Sequence, residues 1–241
     1  MAIISTTPNQ RAGNFLKKLA LVAALGACGL AQADVLTFEQ PTDSSFLFAG
    51  DHVQMGKYWI ESYGGNQGDL VGAIIDGSDS DTCISVSCPV NNASHYYAGL
   101  DDGYFFFGMN DASNFKVKSL QASFIGAGQA SFPATSGLLI LQGFNFEGAA
   151  VGGALQLGLG GPNAQGQFNF ANFNLGAFSN TFVSYVRVLG YACDGSGNCN
   201  RSSNLSNFAI DNIETIPEPT TWALLGLGLI GLGAFSRRRA A

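Results

Sequence analysis

Histidine is nearly missing from this chain: there are two, His52 and His95, in 241 residues. No His-Glu-x-x-His occurs, which excludes the zinc-helix hydrolases. No Gly-x-Ser-x-Gly occurs either, which removes the nucleophile elbow of one large class of serine hydrolases. Cys-x-x-Cys is absent and no histidine pattern joins the cysteines, so zinc has no ligand set of the usual spacing. Basic residues are scarce in the body. Between Asp34 and Ile216 there are five, Lys57, Lys116, Lys118, Arg187 and Arg201, against sixteen acidic ones. Phosphate contacts need clustered Lys and Arg, so nucleic acid is excluded as a partner. Also missing are a sustained 3.6-residue apolar period, an internal repeat of about 20–50 residues, and an apolar run of the roughly 20 residues a permanent membrane helix requires.

What is abundant is Gly, Asn, Ser and Phe, with 32 glycines and 19 phenylalanines. Short apolar runs alternate with turn clusters, the pattern of an all-β, two-sheet sandwich. The runs predict about nine or ten strands. They begin with Val35–Phe38, Tyr58–Tyr63, Leu70–Ile75 and Tyr104–Met109. Next come Phe115–Phe124, with a phase slip near Ser119 that predicts a bulge, and Leu138–Phe146. Gly148–Gly153 is the expected turn before Leu155–Leu159. Then come an aromatic patch at Phe168–Leu175, a central strand at Phe182–Tyr191, and a last strand at Asn207–Ile213.

Cys83 and Cys88, and Cys193 and Cys199, each bracket a short polar loop. Two local disulfides are the simplest pairing, though four cysteines allow three connectivities. Asp76, Asp79 and Asp81 form an alternating carboxylate loop that could face a hard cation, although it lacks the glycine and terminal glutamate of an EF-hand loop. Glu39 and Asp211, on the first and last strands, form a second candidate calcium pair. Calcium is thus the candidate cofactor, in a structural role. Asp101, Asp102 and Glu147 are the carboxylates a glycosidase could draw on, with plain turn chemistry as the alternative. Tyr58, Trp59, Tyr63, Tyr96, Tyr97 and Tyr104 could stack on sugar rings, or could simply be strand residues facing the core.

Both ends read as processing segments. Residues 1–33 have a positive start (Arg11, Lys17, Lys18), an apolar stretch from Leu19 to Ala31, and small residues at Ala31 and Ala33 before Asp34, the layout of a cleaved signal peptide. A lipobox at Leu25-Gly26-Ala27-Cys28 is the rival. Cleavage after Ala33 removes Cys28 and leaves an even four of the five cysteines, which suits an oxidising compartment.

Residues 215–241 run Pro217-Glu218-Pro219, then 14 apolar-rich residues from Trp222 to Phe235 that include Leu224, Leu225, Gly226 and Leu229, then Arg237-Arg238-Arg239. Gly226, Gly228 and Gly231 satisfy Gly-x-Gly-x-x-Gly, but the chain ends before the fingerprint's acidic residue. The arginines would hold the end of a short transmembrane helix at the cytoplasmic face.

The three parts in that order resemble the PEP-CTERM sorting signal of exopolysaccharide-producing Gram-negative bacteria. The resemblance implies export across the inner membrane with signal peptidase cleaving the leader, transient anchoring, and removal of the tail by an exosortase. Leu36-Thr37-Phe38-Glu39, Phe115-Lys-Val-Lys-Ser-Leu120 and Phe208–Ile213 are similar to stretches in bodies of that family, which implies a jelly-roll-like sandwich over residues 34–214. The expectation is a surface or biofilm-matrix component without enzymatic activity that binds exopolysaccharide; the alternative is a glycoside hydrolase or lyase of that matrix.

Overall fold

The computed structural model describes residues 32–39, 45–83, 86–201 and 204–218. Among them are fourteen strands, numbered here in chain order, in two antiparallel seven-stranded sheets. The first sheet holds β1 (Asp34–Leu36), β2 (Phe46–Phe48), β5 (Leu70–Asp76), β6 (His95–Gly99), β8 (Phe115–Phe124), β11 (Ala171–Asn174) and β14 (Phe208–Pro217). The second holds β3 (His52–Met55), β4 (Tyr58–Tyr63), β7 (Tyr104–Met109), β9 (Thr135–Phe144), β10 (Ala150–Gly160), β12 (Tyr185–Cys193) and β13 (Cys199–Asn200). The chain crosses repeatedly between them, so each sheet mixes strands far apart in sequence. This is the expected two-sheet, jelly-roll-like β-sandwich.

The core lies between the sheets because the strands alternate. β4 buries Tyr58, Ile60 and Ser62, and β7 buries Phe105 and Phe107. β12 adds Val186 and Val188, β9 adds Leu139 and Leu141, and β14 adds Phe208, Ile210 and Ile213 from the opposite sheet. A second, smaller cluster sits on the other side of the first sheet, built from Ala73, Ile75, Tyr96, Ala98, Ile125 and Ala209. The loop carrying Cys83 and Cys88 covers it, and both cysteines pack against it. The two local disulfides are present, Cys83–Cys88 and Cys193–Cys199.

The phase slip in β8 is a bulge. Val117 pairs with Thr215 and Ser119 with Glu214, so Lys118 is the extra residue on its strand. On β14 a compensating irregularity falls between Asp211 and Glu214, where Asn212 takes φ +50°. Asparagine tolerates that left-handed conformation better than most residues.

Four expectations change. The described strands number fourteen rather than nine or ten, because β2, β3 and β13, of two to four residues, are too short to show a period. β6 went unseen because Tyr96 and Tyr97 are both fully buried, one in each cluster, so the strand shows no alternation. The Gly148–Gly153 stretch is a turn only as far as Ala149, where the hairpin closes through Asn145. β10 has already begun at Ala150, and its glycines mark a register shift between Val151 and Leu155. The body also extends past residue 214: β14 continues to Pro217, which pairs with Phe115. No helix among the described residues is long and apolar enough to cross a membrane.

Candidate functional site

Alternation in β4, β7, β12 and β9 has a second consequence. The residues between the buried ones point outward, away from the core, and many are large rings. Register sets them in rows. One row runs Gln54, Trp59, Gly108, Tyr185, Phe144. The next runs His52, Glu61, Phe106, Arg187, Gln142. A third carries Tyr63, Tyr104, Leu189 and Ile140.

The rings touch throughout. Phe144 and Tyr185 stack at 5.1 Å, Tyr63 and Tyr104 at 5.7 Å, and His52 and Trp59 at 5.9 Å. Phe106 contacts Tyr63, Tyr104, Phe144 and Tyr185 edge to face. Trp59 lies down against the sheet, and Gly108 is what permits this. A Cβ at position 108 would sit 2.7–2.8 Å from the indole atoms. The indole thus packs against the glycine backbone, with His52 and Tyr185 beside it, and Trp59 stays half-buried on the outer face.

Polar groups border the rings. Tyr63 donates its hydroxyl to Glu61 Oε1 at 2.6 Å, and that bond to a carboxylate pushes the phenol up to about 12. Gln142 Nε2 donates to the Gly143 carbonyl at 2.9 Å. Arg187 lies with its guanidinium 5.7 Å from the centroid of Phe144, and its Nε is buried with no hydrogen-bond partner. At the far side Arg201 packs over Tyr104 at 5.1 Å and donates to the Asp102 carbonyl.

The six aromatics singled out in the sequence divide evenly. Tyr58, Tyr96 and Tyr97 are core residues, at 2%, 0% and 0% exposure. Trp59, Tyr63 and Tyr104 are on the outer face of the second sheet, half-buried. Sequence reasoning missed Phe106, Phe144, Tyr185 and Arg187 as members of the same surface. A signal was available, since Tyr104 to Phe107 is aromatic on both faces of one strand.

The other candidates are held by local structure. Asp76 Oδ1 accepts from Ser78, and Asp79 Oδ1 from the Asp81 amide, so both carboxylates close turns. Glu39 bonds the His95 amide and ring, at 3.0 and 3.1 Å. Asp211 is 1% exposed. Its Oδ2 accepts from Asn92 and Ser94, both at 2.8 Å, and from Asn212 at 3.1 Å. Burial nevertheless raises its pKa, and the charge of Glu39 adds to that. Among the described residues, no three His, Cys, Asp or Glu gather into a cation-holding group. Asp101 and Asp102 form the turn before β7, where Asp102 Oδ1 accepts from the Ser206 amide at 2.9 Å. Glu147 sits in the separate β9–β10 turn.

The first sheet offers a shallow groove beside the β14 irregularity, lined by Ser119, Gln121, Asn172, Asn174, Asn212 and Glu214. Its polar groups largely satisfy one another. Gln121 bonds Asn172 and Asn212, and Glu214 takes Ser119 and Lys118.

At the chain ends, Ala33 is exposed and Asp34 begins β1, paired with Thr215. Of the sorting motif, Pro217 ends β14. The Glu218 amide donates to the Asn114 carbonyl at 2.8 Å, and Asn114 Nδ2 donates to the Glu218 carboxylate at 3.0 Å. Ala31, Cys28 and the rest of the leader lie outside the described residues. So do Pro219, Trp222, Leu224, Leu225, Gly226, Leu229, Phe235 and Arg237–Arg239.

A PEP-CTERM protein-sorting motif is matched at residues 215–239. No curated protein matches the chain. Among solved structures, a DUF4465 family protein from Bacteroides caccae is similar in shape, with a TM-score of 0.52 and 14% identity. The match covers 78% of this chain and 100% of that one. At that identity the likeness establishes the fold alone. The enzymatically active domain of bacteriophage CBA120 tailspike protein 4 matches at TM-score 0.32 and 10% identity, over 68% of this chain and 20% of that one. The C-terminal family 22 carbohydrate binding module of Clostridium thermocellum Xyn10B matches at 0.29 and 12%, over 74% and 96%. Both scores are too low to carry an argument. The chain therefore joins an all-β body to a PEP-CTERM sorting motif, which marks an exported protein that an exosortase processes and that associates with the cell surface or membrane.

Proposed function

We propose that the protein is a non-enzymatic component of the surface or extracellular matrix of a Gram-negative bacterium, and that the outer face of its second sheet binds exopolysaccharide. The observation that carries this reading is the contiguous row of rings on the outer face, with Trp59 packed on Gly108 and continued by Tyr185, Phe144 and Phe106. Folding does not call for large rings on an outer sheet face, where polar residues are the norm. The C–H face of a pyranose stacks on such a ring, while bordering groups (Gln54, Glu61 and Gln142 here) take its hydroxyls. An open sheet face suits an extended polymer better than a small molecule, which needs an enclosing pocket.

The test is retention of the mature protein in a gel containing the host's exopolysaccharide. Wild type is expected to be slowed, and Trp59→Ala to migrate as in a plain gel with its melting temperature nearly unchanged. Equal migration of the two proteins would defeat the reading. Release of reducing ends from the polymer, abolished by substituting an Asp or Glu, would replace it with the enzymatic one.

A further inference from the structure

We propose that the polymer bound on this face is acidic, and that Arg187 recognises its carboxylate groups. The inference rests on the polysaccharide-binding reading above and names the ligand class for the same site.

Arg187 lies mid-strand on β12, flanked in register by Phe106 on β7 and Gln142 on β9. Along its own strand the same-face neighbours are Tyr185 and Leu189. None of these four is acidic. The ion pairs among the described residues are Lys57–Asp34, His95–Glu39 and Lys118–Glu214, and Arg187 is in none of them. The one carboxylate in its row is Glu61, two strands away, about 10 Å by strand spacing, and already bonded to Tyr63.

This is unexpected on composition. With sixteen acidic residues against five basic ones in the body, carboxylates are plentiful. Lys116 and Arg201 also lie outside the ion pairs, but Arg201 has the Asp102 carbonyl, whereas Arg187 has no protein acceptor. Instead it is partly desolvated among aromatic rings, with Nε unpaired, an arrangement that costs free energy in the unbound protein. Nε is out of a ligand's reach, but the two terminal nitrogens of the guanidinium take no protein acceptor and are the groups a ligand carboxylate would pair.

The residue type narrows the acceptor. A guanidinium presents parallel N–H donors in a planar fork that matches a carboxylate with two bonds, and its flat faces stay stacked on rings meanwhile. Charge agrees locally: Glu61 and Arg187 roughly cancel on these rows, so the polyanion meets the part of an acidic protein where the acid excess is missing. Trp59 and Arg187 are two strands and two residues apart, about 12 Å, so the site takes a chain and not a single sugar.

The experiment measures binding of the mature protein to the host's extracellular polysaccharide in two forms, native and methyl-esterified at its carboxyl groups. Wild type, Arg187→Gln, Arg187→Lys and Trp59→Ala are compared, each checked by thermal melting. Esterification is expected to weaken wild-type binding about tenfold, and Arg187→Gln to weaken binding to the native polymer by a similar factor, about 1.4 kcal/mol. Esterification should then have little further effect on Arg187→Gln, while Arg187→Lys recovers part of the loss. Trp59→Ala should weaken binding to both forms. If esterification leaves wild-type binding unchanged, or weakens Arg187→Gln equally, the role of Arg187 is overturned while the binding face stands. If Trp59→Ala binds both forms as wild type does, the face itself is wrong.

Discussion

The outer face of the first sheet is covered in part, polar beside β14, and apolar only at its margins, where Val35, Phe46 and Phe48 are exposed on the short strands β1 and β2. The Cys83–Cys88 loop lies over Tyr96 and Ala98, and the open part shows Gln121, Asn172, Asn212 and Glu214 bonded to one another or to neighbours. The outer face of the second sheet differs in having its rings in continuous contact across four strands, with polar groups at their border. It shows Trp59, Tyr104, Phe106, Phe144 and Tyr185, with an arginine whose Nε is unpaired. Both sheets bury apolar residues inward to build one core, so the core does not account for the difference. Outward positions are where the fold leaves choice. A polar, self-satisfied face needs no further explanation, whereas a contiguous row of outward rings beside an arginine without an acceptor is the basis of the proposed binding.

The sharpest way to break this comparison uses two adjacent residues of one strand. Phe105 faces the core and Phe106 faces out. Phe105→Ala should cost about 3–5 kcal/mol through the cavity it leaves. Phe106→Ala should cost about 1 kcal/mol, the loss of its ring contacts. Urea unfolding measures both, and equal costs would mean that the second sheet has no free face.

Next in size is the clip on the first sheet. Replacing Cys83 and Cys88 by Ser together should lower stability by roughly 2 kcal/mol, the chain-entropy value for so small a loop. Retention in the polysaccharide gel should not change, because the loop lies on the other sheet. Lost retention would place the site on the wrong face.

A subtler change sharpens the second face itself. In Gly108→Ala the new methyl group would meet the indole, so Trp59 must lift off the sheet. Binding should fall roughly fivefold, about 1 kcal/mol, with the melting temperature nearly constant. Asn172→Ala, in the polar groove, should leave binding as it was.

The smallest effect belongs to Glu214. Hydrogen bonds from Lys118, then Ser119, hold its carboxyl below the usual range. A depressed folded pKa adds stability above the unfolded value of about 4.3, which is lost as pH falls through the folded value. Glu214→Gln should therefore cost less than about 1 kcal/mol at pH 7, given the partial exposure of the pair. Its urea midpoint should converge with that of wild type as pH falls through the folded value.

What the sequence disclosed depended on how local each signal was. Tyr58–Tyr63 and Tyr104–Met109 were legible to the residue because alternation and turn signals bound them on both sides. The bulge near Ser119 was legible because a bulge shifts the side-chain phase. His95–Gly99 was not, because a strand buried on both faces has no period to read. The sorting motif was legible without any fold, since its three parts are contiguous. The aromatic outer face was half legible. Sequence named Trp59, Tyr63 and Tyr104, but separating them from Tyr96 and Tyr97 requires knowing what covers each face. Arg187 could not be singled out because its neighbours, Phe106 and Gln142, come from strands as distant as β7 and β9.

The pairing of Asp34 with Thr215 also has a mechanical consequence. β14 is an interior strand, with β8 along one side and β6 followed by β1 along the other. A pull on its C-terminal end alone runs parallel to the strand, and the bonds on both flanks share the load and must give way together. A pull that separates the two chain ends acts differently. Asp34 and Thr215 are adjacent, so that force opens β1 from β14 one pair at a time, starting at the end. The body should thus withstand drag through its tail far better than it withstands being drawn apart by both ends at once.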